Sequence, residues 1–133
     1  MKYFVFLVFL FSLAPSYSLE PITSPGDTRI NTAKDLLTNC QEMSNLGKGN
    51  EEEVLTRMIR STLCGGYVNG FLEADGLNDI EHTKRSYCLP NKLSDIKLAE
   101  AITVYLRKHP EFYQLSPGAA IFSALQASYP CKR

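Results

Sequence analysis

The residues of this sequence best suited to chemistry are four cysteines, Cys40, Cys64, Cys88 and Cys131, separated by 24, 24 and 43 positions. A tetrahedral zinc site draws on close ligand pairs such as C-x-x-C, and these intervals contain none. An even cysteine count in a small exported domain points instead to two disulfides, and four cysteines allow three pairings. Oxidised in pairs, they leave no thiol nucleophile. Ser94 and Lys97 in "SDIK" fit the S-x-x-K string of penicillin-recognising enzymes. The companion motifs are missing, and Ser94 stands where a helix needs its N-cap. His82 lies in a polar stretch and His109 at the end of a helical pattern, where a cation suits the helix dipole; neither has a nucleophile or metal ligand beside it. Asp75, Asn78, Asp79 and Glu81 crowd together but lack the alternating oxygens and sixth-position glycine of an EF-hand. These residues predict a binding protein rather than an enzyme, with no metal and no cofactor.

The chain that must position them opens with Met1 and Lys2, an apolar run over 3–13 and small residues at Ser16 and Ser18, the pattern of a secretory signal over 1–18. An apolar core of about 11 residues is too short to span a bilayer, which takes roughly 20, so the mature chain is expected to be soluble. Lys2 leaves with that segment, and 13 Lys and Arg then face 14 Asp and Glu. Such a balance, with no basic cluster, argues against nucleic acid or an anionic membrane as the partner.

Residues 19–31 hold Pro21, Pro25 and Gly26 among small polar residues and read as a flexible lead. From 32 onward the periodicity is helical. Over 32–46, Ala33, Leu36, Leu37, Cys40 and Met43 recur at three- and four-residue steps, with Thr32 and Asp35 as a capping pair and Gly47 and Gly49 as the stop. A second helix starts on Glu51, Glu52 and Glu53, whose charges suit a helix N-terminus, and is predicted to run to 74. A polar stretch over 75–92 reads as a loop tied down by Cys88. The third helix follows Ser94 and ends at Pro110; the fourth follows Ser116 and Pro117 and runs to about 129. The expected fold is all-α, a compact four-helix domain stapled by two disulfides.

The stretch "CGGYVNGF", residues 64–71, places three glycines inside the second helix. Projected at 100° per residue, Gly65, Gly66 and Gly70 continue the side that carries Leu55, Met58 and Ile59, while Cys64, Tyr67 and Phe71 share the other. The glycine side is therefore expected to let another helix cross with its backbone unusually close. A long loop folded back along this helix would pair Cys64 with Cys88 and leave Cys40 for Cys131.

Together, Cys40, "CGGYVNGF", "YCLP" (87–90), "VYLRKHPE" (104–111) and "ALQASYPC" (124–131) make the sequence resemble the Rap/Tai immunity proteins. The resemblance covers nearly the whole chain after the signal, over a domain at 32–133. It implies a periplasmic, all-helical protein that blocks the cleft of a papain-like peptidoglycan amidase delivered by type VI secretion, commonly as a homodimer. Motifs shared by a family hold its scaffold and do not locate the surface for one toxin. For that surface the residues suggest Glu111, Phe112, Tyr113 and Gln114, two large aromatics in a short loop flanked by polar groups. The polar loop with Asp79, Glu81, His82 and Lys84 is a second candidate. Two other functions fit the same composition: a periplasmic chaperone-like or general binding module without a cognate toxin, and an exported hydrolase using His82 or His109.

Overall fold

The computed structural model describes residues 29–79 and 86–132. The expected signal segment, most of the lead over 19–31, and Glu81, His82 and Lys84 of the polar loop lie outside the described residues. Four helices appear, and no strand occurs among the described residues: α1 (Ala33–Cys40), α2 (Glu51–Asp79), α3 (Asp95–Lys108) and α4 (Pro117–Ser128), with 3₁₀ turns at Gln41–Asn45 and Pro110–Phe112.

Local chemistry sets most of the boundaries. The Asp35 amide donates to Thr32 Oγ1 at 3.2 Å and the Thr32 amide to Asp35 Oδ2 at 2.9 Å, a reciprocal cap that starts α1. The helix expected to reach 46 tightens to 3₁₀ after Cys40, where the Ser44 and Asn45 side chains both donate to the Gln41 carbonyl. Gly47 (φ 78°) and Gly49 (φ 99°) then adopt left-handed backbone and turn the chain. Asn50 and Glu53 repeat the reciprocal cap at the start of α2. Arg57 closes the turn by donating to the Lys48 carbonyl and approaching Glu42 at 3.4 Å. Ser94 and Ser116 cap α3 and α4, accepting from the Lys97 and Ala119 amides.

α1 packs against the three other helices, and the core forms where they meet. Leu36, Ile102, Leu106, Ile121 and Leu125 have no exposed surface, and burial of each contributes about 1.5–3 kcal/mol relative to leaving it in water. α4 reaches α2 where Gly118 faces the Phe71 ring, 3.6 Å from where a Cβ would sit.

The disulfides join Cys40 to Cys64 and Cys88 to Cys131, with Cα separations of 5.0 and 4.8 Å. This corrects the expected Cys64–Cys88 and Cys40–Cys131 pairing, and the cause is the length of α2. The helix does not stop near 74. It passes through Gly76 to Asp79, carrying the chain about 22 Å beyond Cys64 at 1.5 Å per residue. The returning segment then lies against the end of α4, where the Cys88 amide donates to the Tyr129 carbonyl at 2.8 Å. Tyr87 holds it there, donating its hydroxyl to Asp75 at 2.5 Å and meeting Phe122 edge-on.

The glycines also need correcting. Cys64 and Val68 are buried, so α2 turns the cysteine side inward. The glycine side faces solvent: Leu55 and Met58 are 59% and 53% exposed, and a Cβ on Gly66 or Gly70 would meet nothing within 4 Å. Gly65 touches only the tip of Met43, 3.5 Å from its would-be Cβ. Among the described residues no helix crosses at Gly66 or Gly70, and Gly65 borders the start of α3 without a close backbone approach; the bond from Cys64 to α1 selects the opposite face.

Two predictions follow from this geometry. Cys40 and Cys64 are sealed in the core whereas Cys88 is exposed, so graded reduction with alkylation and peptide mapping should label Cys88 and Cys131 well before Cys40 and Cys64. Gly66→Ala should stabilise the monomer by about 0.5–1 kcal/mol, the helix-propensity gain with no steric cost. A denaturant midpoint at or below that of the parent protein would refute the open-face geometry.

Candidate partner-binding surface

Glu111, Phe112, Tyr113 and Gln114 lie at a corner where α3 ends, turns through Pro110–Phe112 and leads into α4. Phe112 and Tyr113 are half-buried and pack against the core, while Glu111 and Gln114 are exposed. Tyr105 of α3 anchors the turn: His109 stacks on it with centroids 4.3 Å apart, and Phe112 meets it edge-on at 5.6 Å. The Tyr113 and Leu115 carbonyls accept from the Lys34 and Ala33 amides at 3.2 and 2.9 Å. Those amides open α1 and have no intrahelical acceptor, so the corner caps a second helix with its own backbone. A loop tied down on both sides presents its polar groups on a rigid base.

The electrostatics of the corner centre on Glu111. Its carboxylate sits 2.8 Å from His109 Nδ1. Its pKa lies below the ordinary 4.5, first because the carboxylate accepts from its own backbone N–H and next because His109 bonds to it. Ser94 and Lys97 are occupied structurally. The Ser94 hydroxyl caps α3, and Lys97 Nζ approaches Glu100 at 2.9 Å, so Ser94 and Lys97 do not form a nucleophile and base pair. Among the described residues no three His, Cys, Asp or Glu gather to hold a metal, and no helix is long and apolar enough to cross a membrane.

One feature escaped the sequence. Between Glu52 and Glu73 the outward side of α2 carries no charge, and Leu55, Met58, Gly66 and Gly70 lie open on it. A shallow depression of about 420 Å³ runs beside it, bordered by Leu46, Met58 and Gly65. The apolar period of 51–74 contained this face; without the pairing of Cys64, nothing told which side was inward.

An all-helical scaffold with two disulfides, a rigid corner and an uncharged outer face accords with comparison to known proteins: a family model described as Rap1a immunity proteins matches residues 32–131. The chain belongs to this family. No curated protein and no solved structure matches it. For a Rap1a immunity protein the relevant partner is a toxin protein, and the family's role is generally non-catalytic. The matched span begins at the α1 cap and ends at Cys131, so both disulfides fall inside it.

A depressed carboxyl pKa contributes stability above its unfolded value and loses that contribution as pH falls through the folded value. Carboxyl NMR titration should therefore place the Glu111 midpoint below 4.5, and His109→Ala should move it part of the way back, since the backbone bond remains. A midpoint unmoved by that substitution would remove His109 as a contributor.

Proposed function

We propose that this Rap1a immunity protein is exported to the periplasm, where it binds a papain-like peptidoglycan amidase delivered by type VI secretion and blocks its active-site cleft. The family match over residues 32–131 carries the reading. The apolar run over 3–13 and the two disulfides support export to an oxidising compartment. The protein acts by occupancy and not by turnover.

The toxin is met at the 109–115 corner. Glu111 and Gln114 make the polar contacts, and the outer edges of Phe112 and Tyr113 add apolar area without leaving the core. A homodimer is also part of this reading, and the uncharged outer side of α2 supports it by offering each copy an apolar face without like-charge repulsion.

The test is inhibition of purified type VI amidases on isolated peptidoglycan by the oxidised protein. One enzyme should be inhibited stoichiometrically at nanomolar concentration. Glu111→Arg with Gln114→Arg should weaken that inhibition by tenfold or more, on the scale of about 1.4 kcal/mol or above, while the melting temperature stays put. Inhibition of none, together with weak binding of many unfolded clients, would replace the immunity reading with the chaperone-like module.

A further inference from the structure

One side of α3, from Lys97 to His109, and the last turn of α4 border an open groove of about 490 Å³, a volume within the range of ligand clefts. Its lining includes small apolar side chains, Ala101 and Val104 on α3 and Ala127 on α4, and Val104 is 43% exposed. One end is closed by Tyr105 and His109, the same stacked pair that anchors the 109–115 corner. The groove and the corner are therefore one continuous surface.

Charge decides what this groove suits. Two lysines, Lys97 and Lys108, and one acid, Glu100, border it. Glu100 is engaged by Lys97 at 2.9 Å, and Glu111 at the neighbouring corner is engaged by His109 at 2.8 Å. Lys108 and the adjacent Arg107 have no ion-pair partner among the described residues. Basic residues in a last helical turn favour the helix dipole, and that role leaves their heads in water and free to meet an anion. At the opposite wall, Ala127 and Ser128 belong to the last turn of α4; the Tyr129 amide donates to the Leu125 carbonyl, and the carbonyls of Ala127 and Ser128 come after the last intrahelical donor. An extended chain supplies N–H groups for such carbonyls.

We infer that the α3–α4 groove receives an acidic, extended segment of the toxin, with an apolar side chain over Val104 and a carboxylate at Lys108. The inference rests on the proposed immunity function and names the chemistry of the partner at that surface.

The test uses two blocked peptides, Glu-Glu-Leu-Glu-Glu and Lys-Lys-Leu-Lys-Lys, titrated into the oxidised protein and followed by amide NMR. The acidic peptide should shift Ala101, Val104, Lys108 and Ala127. The shifts should weaken with added salt, and Lys108→Glu should raise the dissociation constant at least tenfold. No shifts, or equal shifts from the lysine peptide, would overturn the inference. Val104→Arg, which fills the groove from an exposed position, gives a second variant. If an amidase is inhibited equally by parent, Lys108→Glu and Val104→Arg proteins, the immunity function stands and the groove inference fails. If the acidic peptide binds as described and no amidase is inhibited, the groove stands and its assignment to this toxin class fails.

Discussion

Cys64 lies near the middle of a 29-residue helix, fully buried and bonded to Cys40 at the end of α1. A helix held covalently at such a point cannot rotate about its own axis, and the rest of the molecule is arranged around the orientation so fixed. Ser61, Cys64 and Val68 go inward; Leu55, Met58, Gly66 and Gly70 are left outside. Both sides of this stretch of helix are apolar enough to be buried. Hydrophobicity therefore leaves two nearly equivalent rotations, and a bond whose loss would cost about 2–5 kcal/mol removes the ambiguity.

The second organising region is the corner after α3. Tyr105 and His109 stack and Phe112 meets both edge-on, and the carbonyls of Tyr113 and Leu115 complete the first turn of α1. The corner thereby couples three helices through short contacts. Two immobilising demands, core packing from below and helix capping from the side, fall on five consecutive residues, leaving Glu111 and Gln114 free to face outward. Rigid presentation of a few polar groups is what a binding surface requires if little conformational entropy is to be lost on association.

Much of this was legible before the structure. The caps at Thr32, Ser94 and Ser116 fell where their side chains can reach a backbone amide, and the all-α class followed from periodicity. Three features were not legible, for distinct reasons. The extension of α2 through Asp75 and Gly76 rests on tertiary support, with Tyr87 bonded to Asp75, and local propensity is blind to a partner 12 residues away. The pairing of the cysteines depended on that extension. The inward side of α2 was obscured by apolar residues on both sides of the helix. One misplaced helix end thus propagated into two wrong disulfides, whereas the role expected of the three glycines failed separately, because small residues on an apolar side mark a close crossing or an open face equally well. The corner fared differently: its location was readable from Pro110 and the two aromatics, but its capping of α1 uses main-chain atoms, which carry no residue-specific signal.

The observed connectivity joins the first cysteine to the second and the third to the fourth, so the two covalent rings, 40–64 and 88–131, neither overlap nor interleave. A chain oxidised in the order in which its cysteines appear makes both native bonds directly. The first ring closes from sequence already present when Cys64 arrives, without waiting for α3 or α4. Either alternative arrangement would keep Cys40 unpaired until the third or fourth cysteine emerged and would need a later exchange to correct a premature bond. For a chain that is oxidised as it emerges, sequential pairing thus lets order of arrival alone give the native connectivity, with no exchange step.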